Sequence, residues 1–206
     1  VLVAVGRQPN SDRVGLQNTT VSRDGKGFIV TDEQCRTAEK SIFAIGDVSG
    51  EPMLAHKGFA EARVAIEAIG GQASVFAPKA IPAVVFTDPE VAWCGLTEDE
   101  ATAIGRNVTV AKFPWGASGR ALTLSRPEGF TKLVVDPETE QILGVGIVGV
   151  GAGELIAEGV VAVEMGMTVS DIRLSIHPHP TVSETFGEAA ELFLGECTHV
   201  YKPKKT

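Results

Sequence analysis

Residues 130–150, FTKLVVDPETEQILGVGIVGV, hold two apolar runs on either side of an Asp136-Pro137 turn signal. Phe130 to Val135 and Ile142 to Val150 read as strands. Working back along the chain, Val84 to Phe86, Val91 to Cys94 and Val108 to Phe113 read as strands too, with Asp88-Pro89 marking another turn. Thr97-Glu98-Asp99-Glu100 is a capping box that opens a short helix ending at Gly105. Forward from Val150 the pattern turns helical, over about Gly153 to Met165, Ser170 to Leu174 and Thr181 to Leu194. Strands followed by helices predict an α+β domain.

The first third of the chain follows another pattern. Ile42 to Ile45 reads as a strand ended by Gly46-Asp47, and Met53 to Ile69 reads as a helix, with Leu54, Ala62, Ala65, Ile66 and Ile69 near helical spacing. Pro52 suits its first turn and Gly70-Gly71 its end. Strand, Gly-Asp, helix is the βα unit of a doubly wound sheet. Val1 to Val5 is a continuous apolar run ended by Gly6, read as a strand buried on both faces, and Phe28 to Val30 as a short one. A buried strand with nothing before it makes Val1 look like a cut inside a longer protein. Pro78 and Pro82 place a boundary near residues 76–81.

The formal net charge of -8 argues against a nucleic-acid partner, which needs clustered Lys and Arg. The one basic run, Lys202, Lys204 and Lys205, reads as a solvated tail. No apolar run reaches the roughly 18 residues of a membrane span, and the first residues do not read as a signal peptide. Cys35, Cys94 and Cys197 are widely spaced with no CxxC or CxxxxC pair, which suits structural thiols in a reducing compartment. A cytoplasmic location is expected.

Three places could carry chemistry. Asp47 follows a strand end, where open α/β sheets bind ligands, and its carboxylate could accept from a ribose or ribityl hydroxyl. The helix start at Met53-Leu54-Ala55-His56 offers unpaired N–H groups and partial positive charge. The plainer reading is that Asp47 caps a turn and His56 is a surface residue. Val5-Gly6-Arg7 could meet a phosphate or carboxylate, a weak signal alone. His177-Pro178-His179-Pro180-Thr181-Val182-Ser183-Glu184 is the most informative stretch. A histidine held before a helix start, with a carboxylate five residues on to accept its Nδ1–H, suits a general base near neutral pH. Thr181 to Glu184 is equally an S/T-x-x-E capping box, and one carboxylate can do both. His177 and His179 supply too few ligands for a metal.

Four motifs occur in order: Phe43 to Asp47, Met53 to Gly58 (MLAHKG), Phe113 to Ala121 (FPWGASGRA) and His177 to Glu184 (HPHPTVSE). Together they resemble the C-terminal portion of the dihydrolipoamide dehydrogenases, within the flavin-dependent pyridine nucleotide-disulfide oxidoreductases, over essentially the whole chain. The resemblance implies an α/β remnant of FAD- and NAD-binding domains followed by an α+β dimerisation domain, an antiparallel sheet flanked by helices. Residues 1–10 would end the NAD-binding domain, 11–77 belong to the FAD-binding part, and 78–206 form the dimerisation domain. His179 matches the base and Glu184 the carboxylate that orients it. Asp47, with the Met53-Leu54-Ala55-His56 helix start, would hold FAD, and Ala4, Val5, Gly6 and Arg7 would lie near NAD. The His179-Pro180 bond matches one that is cis in the family. The implied partners are a second copy of the chain and the lipoyl domain of an acyltransferase in a 2-oxo acid dehydrogenase complex. The family's redox disulfide and its glycine loops for FAD and NAD have no match here, so the chain alone is expected to be inactive. Glutathione and mercuric reductase types are related alternatives, although MLAHKG fits them less well and no C-terminal cysteine pair is present. A non-enzymatic dimerisation module is a further one.

Overall fold

The computed structural model describes residues 1–201, so the basic run at Lys202, Lys204 and Lys205 lies outside the described residues. The chain divides into two compact units, Val1–Ala77 and Pro78–Thr206.

The first unit is organised on helix α1, Ala55–Ile69. Leu54 is its N-cap, and Pro52 lies in the turn before it, with its carbonyl accepting from the Leu54 N–H. Gly70 caps the C-terminus, and Gly71 then takes a φ of 81°, which ends the helix. The buried face is Lys57, Glu61, Ala65 and Ala68. This corrects the stripe read from the sequence: Ile66 and Ile69 are 68% and 61% exposed. Two charged side chains can replace apolar ones inside because they pair with each other.

Two further expectations change in this unit. Val1 to Val5 forms no strand, and Val1, Leu2, Val3 and Val5 are exposed. A strand buried on both faces needs paired edges and a layer on each side, and none of the described residues supplies them. Phe28 to Val30 and Ile42 to Ile45 make only isolated bridges, Arg23 with Ile29 and Arg36 with Phe43, while Phe28, Ile29 and Ala44 are buried.

The second unit is an antiparallel five-stranded sheet in the order β1-β2-β5-β4-β3. Its strands are β1 (Ala83–Val85), β2 (Glu90–Gly95), β3 (Thr109–Pro114), β4 (Phe130–Val135) and β5 (Ile142–Gly149). The stretch at residues 130–150 is thus its central hairpin. The pairing slips at Val134/Val135, where Val134 opposes Gly144 but Val135 opposes Ile142, leaving Leu143 as the extra residue of a bulge. Period-2 alternation sends Ala92 and Cys94, Ala111 and Phe113, Thr131 and Leu133, and Val145 and Ile147 into the core.

Two of the unit's helices cover that face. The helices are α2 (Glu98–Ala103), α3 (Gly119–Thr123), α4 (Ala152–Met165), α5 (Val169–Leu174) and α6 (Glu184–Leu194). Helix α4 packs on β2 and β5, and α6 on β3 and β4. Gly159 of α4 lies so close that a Cβ there would come within 3.0 Å of Val145. The capping box at Thr97 forms as read, with Glu100 reaching back to the Thr97 N–H.

Gly149 ends β5 at a φ of 153°, and a Cβ on it would lie 2.1 Å from the ring of Trp115, which is fully buried. Gly149→Ala is therefore expected to lower stability by about 3 kcal/mol. Gly116→Ala, where a Cβ meets nothing within 4 Å, should sit within about 1 kcal/mol of wild type. Urea unfolding of the two variants measures the contrast.

Candidate active site

Helix α6 begins at Glu184 with Ser183 as N-cap, three residues later than the sequence suggested. Thr181 does not serve as its cap: the Thr181 hydroxyl donates to the Pro178 carbonyl at 2.6 Å. Half of the expected capping box survives, because the Thr181 N–H donates to Glu184 Oε2 at 2.8 Å. The other carboxylate oxygen, Oε1, lies 2.9 Å from Nδ1 of His179. One carboxylate thus holds both the turn and the imidazole. The His179-Pro180 peptide is cis. The His179 side chain is 81% exposed and reachable, whereas Glu184 is 29% exposed.

A neutral ring that donates from Nδ1 to Glu184 keeps Nε2 as an outward acceptor. Burial works to raise the Glu184 carboxyl. The Thr181 N–H bond, the bond to His179 and the charges of His179 and His199 outweigh it and hold the group below the usual carboxylate value. Glu184 therefore stays ionised where an imidazole titrates, which is what a carboxylate that stabilises imidazolium must do.

The start of α6 is fixed to the sheet by buried polar groups. Trp115 Nε1–H donates to the Thr131 hydroxyl at 3.0 Å, Thr131 and Thr185 hydroxyls meet at 2.7 Å, and Thr185 donates to the Val182 carbonyl at 2.8 Å. All three residues are 2% exposed or less. Sequence reading missed this chain, although Thr131 sits on the inward phase of β4 and so had to find a partner.

His177 and His179 hold different carboxylates: His177 Nε2 lies 2.8 Å from Glu158 Oε1 on α4. That bond raises the His177 pKa against the opposing effect of burial. Among the described residues no group of three or more His, Cys, Asp or Glu is arranged to hold a metal ion.

In the first unit, Asp47 lies in the 3-10 turn Gly46–Val48. Arg7 pairs with Asp47 Oδ2 and also donates to the Met53 carbonyl at 3.2 Å. The residue expected near NAD thus meets two of those expected to hold FAD. Behind the turn, Lys57 and Glu61 are 2.8 Å apart and both buried. Glu61 also accepts from the Gly46 N–H, and Lys57 donates to the Gly46 and Gly50 carbonyls at 3.2 Å each. Their i, i+4 spacing in phase with Ala65 and Ala68 was the legible signal for this buried pair. Gly46 and Gly58 pack closely, a Cβ on Gly58 falling 3.3 Å from the Gly46 Cα.

These residues suit a flavin. The N-cap of α1, Leu54, supplies no side-chain cap bond, and the first turn holds no acidic residue. It therefore presents positive partial charge beside the Asp47 acceptor. Ala4, Val5 and Gly6 are exposed. The three cysteines are free thiols, and burial pushes Cys94 up to about 12 and Cys197 up to about 11. They are poor nucleophiles at neutral pH.

Residues 81–190 match the family described as pyridine nucleotide-disulphide oxidoreductase, dimerisation domain, and residues 1–62 match pyridine nucleotide-disulphide oxidoreductase. The dihydrolipoyl dehydrogenase of Haemophilus influenzae is 50% identical over 204 residues, which is 99% of this chain and 43% of that protein. Dihydrolipoyl dehydrogenase 2 of Haloarcula marismortui is 51% identical over 198 residues, 96% of this chain and 42% of that protein. The chain therefore spans less than half the length of these curated relatives. Among solved structures, LpdA from Mycobacterium tuberculosis superposes with a TM-score of 0.83 at 27% identity, covering 89% of this chain and 40% of that one. The HOCl-induced flavoprotein disulfide reductase RclA from Escherichia coli gives a TM-score of 0.83 at 27% identity, covering 93% and 44%.

The lowered Glu184 pKa carries a signed consequence. A carboxylate whose folded pKa is depressed contributes stability that is complete above its unfolded pKa of about 4.3 and is lost as pH falls through the folded value. Glu184→Gln is expected to lower the thermal midpoint at pH 7, and the gap to wild type should close as the pH drops below that range. Thermal melts of both proteins across acid pH measure it.

Proposed function

The chain belongs to the pyridine nucleotide-disulphide oxidoreductase family, and on that premise we propose that it supplies the proton-accepting residue and the dimer-building domain of a dihydrolipoyl dehydrogenase. The activity assigned is oxidation of dihydrolipoamide to lipoamide with FAD and NAD+. The single observation that carries this reading is the 2.9 Å contact between His179 Nδ1 and Glu184 Oε1, on an imidazole open to solvent. Relatives named dihydrolipoyl dehydrogenase that cover nearly the whole chain at about half identity support it.

A thiol has a pKa of roughly 8.5 and is mostly neutral at pH 7, whereas only its thiolate attacks a disulfide. His179 Nε2 takes the thiol proton. Glu184, kept ionised by its own hydrogen bonds, stabilises the imidazolium that results. No two cysteines of this chain are spaced as a redox pair, so the acceptor disulfide in this reading comes from outside these residues. Asp47 and the α1 N-terminus at Met53, Leu54, Ala55 and His56 would hold FAD, which when bound supplies a two-electron acceptor between that disulfide and NAD+. Ala4, Val5, Gly6 and Arg7 would lie at the edge of the nucleotide site, with Arg7 bridging to Asp47. Lys57 and Glu61 hold the Asp47 turn in place from behind. A homodimer is the assembly that the matched dimerisation domain supports. The lipoyl domain of a 2-oxo acid dehydrogenase complex would present the dithiol. No helix among the described residues is long and apolar enough to cross a membrane.

In a flavin-loaded dimer carrying this sequence, His179→Gln is expected to lower dihydrolipoamide oxidation by about 100-fold to 10,000-fold, the range of one general base, with the flavin spectrum unchanged. Near-normal turnover would remove His179 from the role.

A further inference from the structure

Helix α6 carries a second carboxylate one turn beyond Glu184, and it holds a second imidazole in the same way. Glu188 Oε1 accepts from His199 Nδ1, and Glu188 Oε2 is bonded by the Cys197 thiol at 2.9 Å. Glu188 is 15% exposed and His199 60% exposed, so a sheltered carboxylate orients an accessible ring, as in the His179 pair. Both pairs line one cavity of about 180 Å³, together with Arg120, Ser118 and Phe113. The charge of His199 is felt at Glu184 and at Glu191, so the two pairs act on each other electrostatically. Cys197 remains a protonated donor, its thiol pushed up to about 11 by burial and by Glu188. It thereby fixes the Glu188 carboxylate with the other oxygen turned to His199.

We propose that His199, oriented by Glu188, is the second proton acceptor of this site, taking the proton of the second thiol of a dithiol substrate whose first proton goes to His179. The proposal rests on the dithiol-oxidation reading above. Oxidising a dithiol to a disulfide releases two electrons and two protons. The electron pair reduces an acceptor disulfide to two thiolates. Each S–H bond that breaks gives its proton to one imidazole nitrogen, so two neutral rings become two imidazolium ions, and charge and atoms balance. With one base, that base must discharge its first proton before it accepts the second. With two in one cavity, both protons leave in a single pass. The charged and titratable groups around His199 are Glu184, Glu188 and Glu191 of α6, His179 of the loop before α6, Arg120 of α3, the Arg173–Glu196 pair that also acts on Glu191, and Cys197 on its own segment.

The test is the pH profile of dihydrolipoamide oxidation by a flavin-loaded dimer carrying this sequence, with His199→Gln and His179→Gln compared in one preparation. His199→Gln is expected to slow the reaction about tenfold at pH 7. The defect should shrink as pH approaches the thiol's own pKa of about 8.5, and added imidazole should restore the rate. A severe His179→Gln defect beside a His199→Gln rate equal to wild type would overturn the second acceptor and leave the underlying reading standing. Normal rates in both variants would overturn both. A His199→Gln defect that is constant with pH and unmoved by imidazole would mark a purely structural residue and would also overturn the proposal.

Discussion

The buried run of hydrogen bonds from Trp115 through Thr131 to Thr185 is the constraint on which the candidate site depends. It joins the loop after β3, the inward face of β4 and the first turn of α6. Each member is fully desolvated, so losing any one partner leaves a buried polar group unpaired, at about 1–3 kcal/mol. Glu184 is the neighbour of Thr185 in sequence. Fixing Thr185 to the sheet therefore fixes the carboxylate that orients His179. Gly149 belongs to the same constraint, because only a residue without Cβ lets β5 pass under the Trp115 ring.

Much of the second unit was legible because its signals are local and agree. The five strands fall within a residue or two of their readings, and the Thr97 box forms as written. The misread elements are those whose outcome depends on partners distant in sequence. Val1 to Val5 has the composition of a buried strand, but composition does not supply neighbours. On α1, apolar spacing favoured Ile66 and Ile69, while the inward face went to Lys57 and Glu61, whose mutual pairing offsets part of the cost of burying their charges. At α6 the capping-box pattern was present, yet Thr181 turned to the Pro178 carbonyl and the helix began later. The carboxylate half of that box and the His179 contact coexist, so neither of the two readings of Glu184 excluded the other.

The ion pairs differ in what they can do. Lys57 and Glu61 are buried and surrounded by the Gly46, Ser49 and Gly50 groups they bond, so they specify the shape of the turn. Arg7 and Asp47 are 64% and 40% exposed, and such a pair contributes about 0–1 kcal/mol. A pair that weak leaves Asp47 able to exchange its partner for a ligand hydroxyl, while the turn beneath it stays fixed. Rigid support below and a loosely held acceptor above is the arrangement a binding residue needs.

In the proposed role, Glu184 holds His179 with its proton on Nδ1 and its Nε2 free to accept. Nitrogen-15 chemical shifts of the His179 ring at a pH where it is neutral test this directly. The Nδ1–H tautomer is expected in the wild-type chain, and a mixture of tautomers in Glu184→Gln. A wild-type ring protonated on Nε2, or a tautomer indifferent to residue 184, would contradict it.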